Sequence, residues 1–362
     1  MAANHPGFGA QGLAGHHGRC RWRTAVSLPP WLATQRDALL AQRGHAWLLH
    51  GPSGLGQFAL AMALGQAWLC ESPGAQGACG QCTSCHAIDV HAHADLTVLM
   101  PETDMIDRGW PLPEKAQSDI DDKKRKPSRE IRVDAMRETV EFAQRTSARG
   151  RGKVVLVYPA EQMNAIAANA LLKTLEEPAG DTRFVLATEA AHALLPTIRS
   201  RCMAHALHWP PEAEVLLWLA GQGVAAEVAV PLLRAAGGRP DDALALARSG
   251  ANPAAWAAFP RAMQHGDVRA VEGWSPAQAI AALQKLCHDL QVHQTGAAPR
   301  YFEASALPPA PALPVLARWS RELMQAARTA DHPFAVPLML EALVAQARNV
   351  LHSAATTART HS

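Results

Sequence analysis

No stretch of this 362-residue sequence approaches the roughly 18 consecutive apolar residues of a membrane span, and the opening MAANHPGFGAQGLAGHHGRCRWR lacks the apolar segment of a secretory signal. A cytoplasmic location is the default expectation. Charge of one sign is also scarce. The formal net charge is +2, too small for the whole surface to grip a polyanion, so contact with nucleic acid has to come from a local patch or a partner. What is present is the composition of a globular chain, 48% hydrophobic and 18% charged, long enough for two or three domains with cores of their own. Seven cysteines in a cytoplasmic chain argue for metal binding or free thiols rather than disulfides, and four of them are clustered.

Residues 1 to about 24 have no periodicity and read as a loose leader. Pro29–Arg43 is helix-like, and HAWLLH (45–50) reads as a buried strand. GPSGLGQF (51–58) then opens a second helix. Strand, Gly-rich turn and helix are the context of a phosphate-binding loop, G-x-x-x-x-G-K-[ST]. Gly51, Gly54 and Gly56 keep the turn, but Gln57 stands where the phosphate-binding Lys belongs and Phe58 where the Mg²⁺-binding hydroxyl belongs. A neutral amide does not offset phosphate charge, and a phenyl ring does not hold a cation.

From Met163 to Glu177 apolar residues fall at Met163, Ile166/Ala167, Ala170/Leu171 and Thr174/Leu175, giving a helix with one oily stripe and with Asn169, Lys173 and Glu177 on the other side. Pro178 ends it. The chain turns at PAGD, re-enters as a strand, Phe184–Thr188, and continues into a helical segment carrying Thr197–Cys202.

NALLKTLEEP, then FVLAT, then IRSRC, resembles the clamp-loader branch of the AAA+ ATPases. The resemblance implies an α/β P-loop core, a parallel sheet flanked by helices, followed by a helical lid and an all-α collar. It also implies an arginine finger at Arg201, within the Ser200-Arg201-Cys202 triplet, reaching the nucleotide of a neighbouring subunit, and a sensor 1-like residue at Thr188. Where active relatives place acidic residues after the strand KVVLV (153–157), this chain has Tyr158 and Pro159; Glu161 matches only an outer acidic position. At GRPDDAL (238–244), Asp241 falls in place of the sensor 2 arginine, with Arg239 two positions earlier. The positions that would act on a nucleotide in the chain's own pocket are changed, and the one that would act on a neighbour's is kept.

Cys70, Cys79, Cys82 and Cys85 have the close spacing of a tetrahedral thiolate site, for which zinc is the favoured ion and a structural role the expected one. A redox pair within Cys79, Cys82 and Cys85 is an alternative, as is replacement of one thiolate by His86, His91 or His93. The family carries a similar four-cysteine module here. Residues 101–129 are polar and end in the charge run DDKKRK (121–126), read as a mobile, solvated insertion.

The expected organisation is a leader (1–24), an AAA+ core (25–208) with a zinc module (70–93) and the insertion (101–129), a three-helix lid (209–249), a helical collar (250–351) and a tail (352–362). The resemblance implies a non-hydrolysing subunit of a bacterial DNA polymerase III clamp loader. Its implied partners are the gamma/tau and delta subunits of a heteropentameric ring and, through that ring, the sliding clamp and primer-template DNA. The chain would have no catalytic site of its own and would not hydrolyse ATP. An active AAA+ ATPase with a diverged pocket and a zinc-dependent DNA-binding protein are the competing expectations.

Overall fold

The computed structural model describes residues 28–330 and 335–357. The leader expected over 1–24, most of the ADHPF linker (330–334) and the last five residues of the tail lie outside the described residues. The chain divides into two units that part between Trp209 and Pro210.

The first unit is built on a five-stranded, all-parallel sheet of β1 (Ala46–His50), β2 (Leu96–Leu99), β3 (Lys153–Val157), β4 (Thr182–Thr188) and β5 (Met203–Ala206), in the order β2-β3-β4-β1-β5. Helices α1 (Pro30–Leu40), α2 (Gln57–Leu69), α3 (Thr83–Asp89), α4 (Glu102–Asp107), α5 (Glu114–Asp121), α6 (Val133–Gln144), α7 (Ala165–Glu176) and α8 (Pro196–Arg199) make the connections. Central strands of such a sheet are covered on both faces, which is why β3 is a continuous Val/Leu run rather than an alternating one. Every residue of β3 is buried. Even Lys153 satisfies its ammonium inside, donating to the Phe142 carbonyl at 2.7 Å and lying 4.0 Å from the Phe142 ring centre. Neither β2 nor β5 is among the expected strands. Both are four-residue edge strands, too short to declare a period.

Three expectations are corrected here. Helix α7 buries Ala167, Ala168, Leu171, Thr174 and Leu175, whereas Ile166, expected on the oily stripe, is 64% exposed. The buried stripe is centred on Ala167/Ala168, and one residue back is about 100° round the helix. The helix expected across Thr197–Cys202 is a single turn ending at Arg199, so Arg201 follows the helix and precedes β5. The expected mobile insertion contains α4 and α5 and is tied down. Glu102 accepts from Arg125 Nη2 at 2.7 Å and from the Ser128 backbone N–H at 2.8 Å.

Among its described residues the second unit has no named strand. It consists of α9 (Glu212–Gly221), α10 (Ala226–Ala235), α11 (Pro240–Arg248), α12 (Pro253–His265), α13 (Pro276–Gln294), α14 (Leu313–Arg328) and α15 (Val336–Thr357), with short 3₁₀ turns. Phe259, Leu286, Phe302 and Trp319 anchor its core. A reciprocal Ser275/Gln278 capping box starts α13. The fully buried Asp289 on that helix accepts the backbone N–H groups of Arg300, Tyr301 and Phe302 at 2.9, 2.7 and 2.8 Å.

Candidate functional site

In an open parallel sheet, loops at the carboxyl ends of the strands form the ligand crevice, most often where the strand order reverses. Here the carboxyl ends of β1, β3 and β4 lie side by side, with His50 paired to Thr188 and Val157 to Leu186. The Gly-rich turn therefore leaves β1 beside Tyr158 and Thr188. Gly56 has φ +87°, a backbone region that favours glycine, and a Cβ there would lie 2.5 Å from Leu32 Cδ1, so a larger residue would strain the turn and push on α1.

The groups gathered at this end satisfy one another. Gln57 is 2% exposed, and its amide nitrogen donates to the Gly51 and Pro52 carbonyls at 3.0 and 2.7 Å. The side chain at the lysine position thus closes on the loop instead of reaching out of it. Phe58 and Tyr158, the two residues at the magnesium-binding positions, pack together with ring centres 5.2 Å apart. Arg108, just past α4, places its guanidinium 4.6 Å from the Phe58 ring centre and 5.1 Å from that of Tyr158. Burial, with Glu189 adding to it, pushes the Tyr158 phenol up to about 12, so it stays neutral at cellular pH. Its hydroxyl donates to Glu189 at 3.3 Å. Thr188 donates to Glu161 at 2.6 Å, and that carboxylate also takes the Glu189 N–H at 3.1 Å. Pro159 follows Tyr158 and offers no metal-binding group. At the positions the sequence aligns with a phosphate-binding lysine, a Mg²⁺-binding hydroxyl and the acidic pair stand Gln57, Phe58, Tyr158 and Pro159.

Arg201 lies elsewhere on the surface of this unit, with its side chain 30% exposed. Its Nε donates to Glu176 Oε1 at 2.6 Å, Nη2 reaches the same oxygen, and Nη1 donates to the Thr197 carbonyl at 2.8 Å. Glu176 is the first glutamate of the LEEP word. The guanidinium is therefore parked against its own chain by contacts that are partly in water, and such exposed pairs hold by only about 0–1 kcal/mol. Ser200 caps α8 and donates to Thr197 O at 3.1 Å, while the half-buried Cys202 thiol is pushed up to about 11 by burial. In the second unit, Asp241 stands exposed in the first turn of α11, and Arg239 is paired with Asp242 at 2.5 Å.

The four cysteines come together. Cys70 ends α2, Cys82 caps α3, Cys85 sits inside α3 and Cys79 lies on the intervening loop. All four sulfurs lie within 4.8 Å of one another, with Cys70 and Cys82 at 3.8 Å. Four sulfurs about 2.3 Å from one tetrahedral ion sit about 3.8 Å apart. Backbone N–H groups of Cys79, Cys82 and Cys85 point at the sulfurs of Cys70, Cys79 and Cys82 at 3.2, 3.4 and 3.4 Å, the donors that thiolates require. Burial raises the Cys82 thiol, but the Cys85 N–H, other donors and neighbouring thiols outweigh it and bring it to about 6. Burial pushes Cys85 up. The set is compatible with a four-coordinate zinc site. Of the histidines weighed as substitutes, His91 stacks on Trp110 with ring centres 3.9 Å apart, and His93 accepts the Asp95 N–H at 3.0 Å.

Arg108 on Phe58 and Trp110 on His91 fix the insertion to the loop and to the cysteine module, and Glu102, bonded to Arg125 and Ser128, closes the insertion on itself. These contacts were invisible in the sequence because each pair is separated by about twenty to fifty residues. Arg125 hydrogen bonds, opposed by burial, hold the Glu102 carboxyl below its ordinary range. A depressed carboxylate contributes stability above its unfolded pKa and loses it as pH falls through the folded value. Limited proteolysis within 101–129 is therefore expected to accelerate as pH drops below about 4. Glu102→Gln is expected to reproduce the loosening at pH 7, costing about 1–3 kcal/mol. Equal cutting rates for variant and parent at pH 7 would contradict this.

Comparison with known proteins bears on the same region. Residues 34–210 match the family described as DNA polymerase III, delta subunit. The delta prime subunit of DNA polymerase III from Pseudomonas aeruginosa is 42% identical over 202 residues, 55% of each chain. That of Escherichia coli is 36% identical over 223 residues, 60% of each. The tau subunit of Salmonella typhimurium is 31% identical over 159 residues, 44% of this chain and 21% of its own. The aligned part spans little more than half the length of the delta prime relatives. No helix among the described residues is long and apolar enough to cross a membrane. The chain therefore carries, over residues 34–210, the match to the DNA polymerase III delta-subunit family, and the proteins it resembles include the delta prime subunits of that polymerase.

Proposed function

We propose that this chain is a non-hydrolysing, delta prime-type subunit of a DNA polymerase III clamp loader, lending Arg201 to the ATP of a neighbouring subunit. The observation that carries the proposal is the contrast between two sites. The chain's own loop is closed by Gln57 and filled by Phe58, Tyr158 and Arg108, while the Arg201 guanidinium stands partly exposed on weak local contacts. A cation that leaves Glu176 for the triphosphate of a neighbour exchanges an exposed pair for charge that develops in a transition state. ATP binding next door would then favour the closed ring around the sliding clamp and primer-template DNA, and turnover would release it, because the two states differ in that contact. The four cysteines would hold zinc as a structural tie, and the helical unit from Pro210 onward would supply the lid and collar. The place of action would be the cytoplasm, and membership of the DNA-directed DNA polymerase complex would be the chain's only link to its catalysis.

The similarity to tau subunits favours a second reading, an ATP-hydrolysing subunit with a diverged pocket. Reconstitution tests the proposal. Mixed with gamma or tau and delta subunits, the chain is expected to enter a discrete assembly whose ATPase exceeds that of the same mixture without it. Failure to co-elute, or an unchanged ATPase, would count against it.

A further inference from the structure

The opposite end of the sheet holds a second feature that the proposed function does not use. A groove of about 700 Å³ runs past the amino-terminal ends of the central strands, lined by Arg43, Arg151, Arg183, Trp68, Gly74 and Gly77. Arg43 precedes β1, Arg151 precedes β3 and Arg183 is the second residue of β4, so the parallel sheet itself gathers the three cations. The turn joining Gly74 and Gly77, part of the cysteine module, forms one wall.

None of the three arginines makes an ion pair among the described residues. Arg151 has only a long contact to the Trp68 carbonyl at 3.4 Å, and Arg183 lies over the Trp68 ring at 5.3 Å. Burial holds the Arg183 guanidinium below its ordinary range; Asp181 opposes this and Arg151 adds to it. In a chain of net charge +2, three guanidinia in one concavity without a directly paired carboxylate, Asp181 acting on Arg183 only at longer range, call for an anionic occupant. Outside the described residues, the 362-residue sequence contains a single acidic residue, Asp331.

We propose that this groove docks a short acidic peptide segment of another protein, its carboxylates paired with Arg43, Arg151 and Arg183. Single-stranded nucleic acid is the weaker fit, because base stacking needs a free aromatic face. Trp68 already packs with Trp47, ring centres 4.8 Å apart, and with the Arg183 guanidinium at 5.3 Å. Guanidinium forks match carboxylates two bonds at a time.

The test is fluorescence anisotropy on the full chain with a labelled Asp/Glu-rich peptide and, separately, a labelled oligothymidine strand. The peptide is expected to bind in low salt and to weaken as salt rises. Arg151→Glu with Arg183→Glu is expected to weaken it by at least about tenfold. Lys123→Glu with Lys126→Glu, the same charge change on the exposed basic run, is expected to change it by less than about twofold. Should the Arg-to-Glu pair fail to fold, Arg43→Gln with Arg151→Gln, both at exposed positions, keeps the question open to measurement, with a loss of about threefold expected. Equal losses in the two charge-changed pairs, no peptide binding in low salt, or tighter arginine-dependent binding of oligothymidine would each overturn the assignment.

Discussion

Arg201→Ala is expected to lower ATP turnover at the neighbouring site by about 10³-fold, the low end of what arginine fingers contribute, while leaving the chain folded and able to assemble. The direction follows from what the side chain touches. Its partners within the chain are Glu176 and the Thr197 carbonyl, both on a partly exposed surface, so their loss costs little stability. The triphosphate next door would lose a planar cation aimed at developing charge, and a water molecule does not replace that. Arg201→Lys keeps the charge but not the fork and is expected to recover only part of the rate. Glu176→Ala separates a parked finger from a structural ion pair. In the first case it leaves turnover high while Arg201→Ala lowers it; in the second, both changes give the same small loss of stability and no loss of rate. ATPase of the reconstituted assembly, measured alongside thermal unfolding of each variant, distinguishes them.

If the four cysteines hold one zinc ion as proposed, Cys82→Ser is expected to remove most of it and to open residues 70–93 to proteolysis. Four thiolates at tetrahedral separations share the work of holding the ion, and structural zinc in small modules has apparent binding free energies of about 10–16 kcal/mol. Losing one ligand therefore takes away much of what orders the loop. Within it residues 71–76 are all exposed, and beyond the cysteines the side-chain ties of that stretch are Glu71 to Ser84 and Arg149. Cys82 also accepts the Cys85 N–H and so caps α3; serine keeps an N-cap acceptor there, so the substitution removes the sulfur ligand without removing the cap. Elemental analysis after dialysis against a chelator gives the metal content. Full retention by Cys82→Ser would exclude it as a ligand.

The features legible in the sequence were those written in local words. The central strands, the turn from Gly51 to Gly56, α7 with its stop at Pro178, and the four-cysteine spacing each depend on residues within about twenty positions of one another, where periodicity and turn chemistry operate. The edge strands β2 and β5 were too short to show a period. The insertion looked solvated because its anchors, Glu102 to Arg125, Trp110 to His91 and Arg108 to Phe58, involve residues whose partners only folding reveals. Substitution at Gln57, Phe58 and Tyr158 showed what chemistry was missing. It did not show that Phe58 and Tyr158 pack on one another and on Arg108, fifty residues from Phe58 along the chain, or that Gln57 closes on the loop carbonyls. Arg201 was recognisable as a word and not as a geometry, since its contact with Glu176 crosses twenty-five residues and an intervening strand.

The most direct measurement of the central claim is a titration of the isolated chain with a fluorescent ATP analogue, with and without Mg²⁺, followed by a turnover assay on the same sample. The account predicts no magnesium-dependent binding at micromolar nucleotide and no phosphate release, because Gln57, Phe58 and Tyr158 occupy the place that a lysine, a hydroxyl and a carboxylate would serve. Micromolar, Mg²⁺-dependent binding accompanied by hydrolysis would contradict it.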